Sequence, residues 1–275
     1  MKDEKFELTE ETIEWDDHTL YRIKALKDFG NIKKGDLGGF IEKEDNLSQD
    51  GTCWIYDDAK VYDDARVFED AKVYNNANVF DCAVVYCNAE ISSSAKVYGD
   101  AEVCGNTQVY GNAAVCRNAK VYGNAKVYGY AIVCGSAKVF DHAQVLGNAK
   151  IYNKAFVYGK AFVYGKAFVY GNAKIYDDAF VNSDADIQGN AEIKSIRDYA
   201  VFKNFWSSGR CFTWTRSNDM WCVGCFYGTG DELIKKAYLD SEESGRNYKA
   251  YVKLVKELNT PKESFMQKFM KFLAV

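Results

Sequence analysis

Between residues 51 and 194 the apolar and polar positions recur every six residues, most plainly in NAKVYGNAKVYG at 118–129. Every sixth position from Ile55 to Ile193 is Val or Ile, in all 24 units. Two residues earlier, 22 of the 24 are Ala, the others being Cys53 and Thr107. The residue after the Val is aromatic in 16 of 24, and the next two are mostly Gly, Asp or Asn. Ala and Val, two apart, share one face of a strand, while the intervening residue and the aromatic share the other. Gly, Asn and Asp tolerate the left-handed backbone of a tight corner. The pattern therefore predicts a mainly β fold: a parallel β-solenoid with Ala and Val inside and Tyr, Phe and Lys outside. Three units per coil give about eight coils, with a flattened two-unit coil as the alternative.

The flanks lack this period. Residues 1–50 read as a capping segment, with apolar positions Phe6, Leu8 and Ile13, a strand over Leu20–Leu26, and turns at Gly35, Gly38 and Gly39. A solenoid end exposes unpaired backbone, so a cap is required to prevent end-to-end stacking. Residues 195–275 read as a small α+β domain. Cys211–Arg216 and Met220–Tyr227 form a hairpin turning at Ser217-Asn218-Asp219. Thr229 caps a helix whose apolar face is Ile234, Ala237 and Tyr238. A second helix carries Tyr248, Tyr251, Val252 and Val255, and Thr260-Pro261 opens a third.

The Val-to-Ala spacing, as in Val121 and Ala125, resembles the hexapeptide-repeat, left-handed parallel β-helix family over about residues 51–194. The chain departs from that pattern after the Val, where those repeats are usually small and this one is Tyr or Phe. Taken with both flanks, it looks like uncharacterised phage and prophage hexapeptide-repeat proteins. Many members of the fold family are acyltransferases with a catalytic His, often with a loop leaving the helix.

Composition narrows the classes. The net charge of −4 argues against a basic nucleic-acid binder, and no apolar run reaches the ~18 residues of a membrane span. The acidic start, MKDEKFELTEETIEWDD, has no secretion signal, and nine cysteines without a disulfide framework fit a reducing, cytoplasmic setting. Charge is uneven: residues 1–100 hold 23 acids and 12 bases, residues 101–275 hold 16 and 23.

Candidate chemistry is sparse. Of the two histidines, His142 is the one weighed as an acyltransferase base, but it reads as a corner residue in an uninterrupted repeat. Cys222 and Cys225, with Cys211, lack a fourth ligand for zinc. Acidic corners Asp57, Asp58, Asp63, Asp64, Glu69 and Asp70 fall on different edges and do not converge. Candidate contact surfaces are two. One is the aromatic coil at 153–170, with Phe156, Tyr158, Phe162, Tyr164, Phe168 and Tyr170 outward. The other is the cluster of Trp206, Arg210, Trp214, Arg216 and Trp221, since aromatics beside Arg can stack on a ligand. These features lead to the expectation of a non-enzymatic binding protein. It needs no cofactor or metal, uses the solenoid as a rigid scaffold and the C-terminal domain for recognition, and takes a protein partner rather than nucleic acid or membrane. A phage-encoded inhibitor of a host defence protein is the specific form. The alternatives are self-association into a homo-oligomer, or an acyltransferase.

Overall fold

The computed structural model describes residues 4–259, so the third helix expected from Thr260 lies outside the described residues. Parallel pairing joins positions 18 apart throughout the repeat, for example Lys96 with Ala114 and Val97 with Val115. This is the three-unit coil. The strands stack into three sheets, one per face of a triangular prism, with eight strands in two of them and eleven in the third. The Ala and Val columns fill the interior and are fully buried along the whole repeat. Thr107, the one hydroxyl in the Ala column, is accommodated because its Oγ1 donates to the Cys104 carbonyl at 2.5 Å.

Each corner places its first residue in the left-handed region, whether Gly (Gly123, φ 76°) or a polar residue (Asp57, φ 53°; Asp141, φ 58°). At Asp57, Asp63, Glu69, Asp81 and Asp141 the corner carboxylate accepts the backbone N–H of the corresponding corner one coil on. Asp57 Oδ2 takes Asn75 N–H at 2.9 Å, and Glu69 Oε2 takes Cys87 N–H at 2.9 Å. Outside, the aromatic positions stack face to face along the prism, as in Tyr62–Phe80 at 5.1 Å and Phe80–Tyr98 at 4.9 Å.

The parallel stack begins before residue 51. Strands β1 (Phe6–Trp15) and β2 (His18–Ala25) form an antiparallel hairpin, β2 pairs with β3 (Leu37–Ile41), and β3 pairs in parallel with Lys60–Val61. Leu47 bridges to Val67 on the next face. A further partial coil thus precedes the eight expected. Gly38 and Gly39 permit this: a Cβ on Gly39 would stand 2.6 Å from the Ala59 carbonyl oxygen, and one on Gly38 2.6 Å from that of Ile55. The open end of the stack is closed by Lys5, whose buried ammonium donates to the carbonyls of Asp50 at 3.2 Å and Cys53 at 3.1 Å. Burial holds its pKa below the usual lysine range.

At the other end, three hydroxyls replace the missing coil. Tyr199 accepts from Asn182 N–H at 3.3 Å and donates to the Phe180 carbonyl at 3.1 Å. Thr213 Oγ1 accepts from Asp186 N–H at 2.8 Å, and Ser217 Oγ from Glu192 N–H at 2.7 Å. Tyr199 and Thr213 belong to an antiparallel four-stranded sheet over Tyr199–Lys203, Cys211–Thr215, Met220–Val223 and Phe226–Thr229, and Ser217 to the turn joining its second and third strands. Helices α1 (Gly230–Asp240) and α2 (Glu242–Asn259) back it. Thr229 caps α1 reciprocally with Glu232, as its position predicts. Tyr248, Val252 and Val255 of α2 are buried against Phe212, Trp214 and Trp221.

At the junction with the prism, Asp186 Oδ1 is buried without a hydrogen-bond partner among the described residues, and burial raises its carboxyl pKa. Two outcomes follow. Thr213→Val leaves the Asp186 N–H unpaired and costs about 1–3 kcal/mol; hydrogen exchange of residues 180–193 rises, with little change near residue 100. For Asp186, stability is present below the unfolded pKa of ~3.9 and is lost as pH rises through the raised folded value. Asp186→Asn therefore raises the melting temperature at pH 7 by about 2–4 °C, and the gain shrinks toward pH 4 in a thermal-denaturation series.

Candidate functional site

The turn of the β1–β2 hairpin, Asp16-Asp17, has both residues at positive φ (51° and 66°), the geometry of a two-residue hairpin turn. It brings Trp15 and His18 to the first face of the prism. Ile41 sits in register with Val61, so Glu42 opens the outer column that continues through Tyr62, Phe80 and Tyr98. Asp63 is the corner after Tyr62. Three segments remote in sequence thereby meet. His18 Nδ1 lies 3.1 Å from Glu42 Oε1, and His18 Nε2 lies 3.5 Å from Asp63 Oδ1. The imidazole rests on the Tyr62 ring at 5.1 Å between centroids.

The carboxylates are themselves fixed. Glu42 Oε2 accepts Asp63 N–H at 2.6 Å, and Asp63 Oδ2 accepts Asp81 N–H at 3.2 Å. The hydrogen bond to Glu42 raises the His18 pKa above its ordinary value, and the Asp63 charge adds to this. Ligand atoms of these three residues lie within 4.8 Å of one another, the one such group among the described residues. Yet the carboxylates bracket the ring, one at each nitrogen, instead of converging with a single nitrogen on a common point. That geometry suits an oriented imidazole better than a metal.

Beside this group, under Trp15, a cleft of about 350 Å³ opens on the first face. Trp15 and Asp16 of the hairpin roof it, and Tyr62, Asn78, Phe80 and Lys96 from three successive coils line it. Lys60, buried below, holds Trp15 in place with its ammonium 4.2 Å from the indole ring. Burial pushes the Tyr62 phenol up to about 12.

The residues expected from the sequence fare differently. His142 is exposed at a corner, and the neighbouring Asp141 carboxylate is engaged by Gly159 N–H at 3.2 Å. No carboxylate among the described residues orients its ring. Cys211 faces Asp184, Cys222 is buried against Gln188, and Cys225 is exposed, so the three do not meet. Of the acidic corners, Asp57, Asp63 and Glu69 bond to the backbone of the next coil, Asp63 also reaching His18, while Asp58 pairs with Arg22, Asp64 with Lys43, and Asp70 accepts from Thr52.

The aromatic coil is not one patch. Phe156, Phe162 and Phe168 lie on three different sheets, with Tyr158, Tyr164 and Tyr170 half-buried in the outer ladders. Tyr158 stacks between Phe140 and Tyr176, Tyr164 packs edge-on against Phe180, and Tyr170 faces Cys222 of the C-terminal domain. In that domain Trp214 and Trp221 are core residues and Trp206 packs on Tyr248, while Arg210 and Arg216 point to solvent. The expected aromatic–arginine platform is therefore not assembled: its rings are needed to fill an interior.

Sequence reasoning missed Glu42 and the pairing of His18, because nothing local links residues 18, 42 and 63. The available signal was the six-residue spacing of Ile41 and Leu47, which carries the hexad period into the cap two residues out of phase with the Val column, so that they pair with Val61 and Val67.

A family model described as the YdcK β-solenoid repeat matches residues 119–135. The chain is 47% identical over 38 residues to a protein of Escherichia coli (strain K12) named as uncharacterised acetyltransferase YdcK. That stretch is 14% of this chain and 12% of the relative's length. These matches support a hexapeptide-type β-solenoid. They also correct the expectation of a non-enzymatic binding protein and phage-encoded inhibitor: the similarity is to a protein named as an acetyltransferase, and it favours the enzymatic alternative.

Proposed function

We propose that this protein transfers an acyl group, in the manner of an acetyltransferase, with His18 as general base. The observation that carries the reading is the His18–Glu42 pair at 3.1 Å beside an open cleft. A carboxylate that accepts Nδ1–H fixes the tautomer and leaves Nε2 as the proton acceptor. The Asp63 contact at Nε2, at 3.5 Å, is long for a hydrogen bond and yields to an incoming amine or hydroxyl. That nucleophile attacks the carbonyl of an acyl thioester. The new C–N or C–O bond forms as the C–S bond breaks, the nucleophile's proton passes to Nε2, and the thiolate leaves to take a proton from solvent. A raised imidazole pKa brings the base toward working pH, where it is most effective. The partial similarity to a named acetyltransferase supports the same reading.

In a thiol-release assay with acetyl-CoA and a panel of small amines and alcohols, His18→Gln lowers turnover about 100-fold or more. His142→Gln leaves it unchanged. Equal thiol release from wild type and His18→Gln overturns the proposal. The same imidazole has an opposite effect on stability. The protonated ring between two carboxylates stabilises the hairpin below the unfolded pKa of ~6.5, and this is lost as pH rises through the raised folded value. Hydrogen exchange of residues 6–25 thus quickens from pH 6 to pH 8 in the wild type, beyond the intrinsic pH effect, and not in His18→Gln.

A further inference from the structure

The cleft under Trp15 carries an unsatisfied group. Asn78 is 7% exposed, its amide nitrogen donates to the Asn76 carbonyl at 3.0 Å, and its Oδ1 has no hydrogen-bond partner among the described residues. A buried amide oxygen left unpaired costs free energy, so a site that keeps one is suited to a ligand that brings a donor. The neighbours fix what kind. Asp16 lies beside the Tyr62 phenol at the first full coil, Asn78 stands on the second, and Lys96 on the third. Coils advance by roughly 4.8 Å, so the carboxylate and the ammonium mark the two ends of a cleft about 10 Å long, with the lone acceptor between them. Trp15, Tyr62 and Phe80 supply apolar walls.

We infer that this cleft binds a dipeptide-sized zwitterion. Its ammonium meets Asp16, its amide N–H donates to Asn78 Oδ1, its carboxylate meets Lys96, and an apolar first side chain lies against the aromatic walls. Two residues of extended peptide span about 7 Å, which leaves a hydrogen-bond length at either end. A single amino acid is too short to reach both charges. The orientation also puts the amine at the hairpin end of the cleft, the end nearest His18, whose imidazole rests on the Tyr62 ring. In this respect the inference rests on the proposed acyl transfer, since it names the acceptor as a peptide amine; the binding itself does not depend on that reading.

The test is calorimetric titration of the full chain, without acyl donor, using Phe-Gly and three relatives: its C-terminal amide, its N-acetyl form, and the ester analogue that replaces the peptide N–H with oxygen. Phe-Gly binds with a sub-millimolar Kd (on the order of −4 to −6 kcal/mol), and each relative binds about tenfold or more weakly. Asp16→Asn removes the preference over the N-acetyl form, Lys96→Met the preference over the amide, and Asn78→Leu the preference over the ester. The first two substitutions are at exposed positions, so they test the site even if Asn78→Leu fails to fold. Equal affinity for all four compounds overturns the inference, as does no heat at 10 mM-scale ligand with a folded protein. Because no acyl donor is present, a failure here leaves His18 catalysis standing. Conversely, peptide binding without thiol release refutes the catalytic reading alone.

Discussion

The hydrogen-bond ladder between coils governs this molecule. Strands of two or three residues have almost no stability alone, and each is held by donors and acceptors that point along the prism axis to the coils above and below. A ladder of this kind satisfies every interior group but leaves two unmatched rims. Each rim presents both carbonyls and N–H groups to whatever comes next. The chain supplies partners at both. A lysine ammonium donates to carbonyls at the start. Side-chain hydroxyls, which can accept and donate, close the finish. The terminal segments are therefore integral to the solenoid, and what they do besides closing it is constrained by that task.

This constraint explains why the tryptophans and most other aromatic residues of the C-terminal domain pack inward, with Phe205, Tyr227 and Tyr238 exposed. A sheet that sets Tyr199, Thr213 and Ser217 against three edge N–H groups must be rigid. Its opposite face is stiffened by packing Phe212, Trp221, Tyr248 and Val252 together. At the start, the same requirement curls the β1–β2 hairpin over the first face. The cleft and the imidazole–carboxylate group are by-products of that curl: they exist because a hairpin tip overhangs coils that are otherwise flat.

The solenoid was legible because its information is local and repeated. Period, interior columns and corners can all be counted within any twelve residues, and the tail hairpin and the Thr229 cap are equally local. The site was not legible because it is assembled from residues 18, 42, 62 and 78, whose proximity depends on where the first coil starts. Reading the aromatic coil as one patch failed for a related reason. Units six apart are neighbours in sequence but occupy different faces, and spatial neighbours are 18 apart. Counting by coil instead of by unit would have placed Phe162 beside Phe180 and separated it from Phe156 and Phe168.

The two rims also set a rule for how the length of such a chain can change. Removing or inserting 18 residues in the middle returns every face to its place, so both closures meet the same chemistry as before. Removing six turns the far closure by one face of the triangle: Thr213 and Ser217 would then confront corners and columns they do not fit. Length in this architecture is thus quantised in whole coils. The cleft, confined to the first three, is insulated from any such change beyond them.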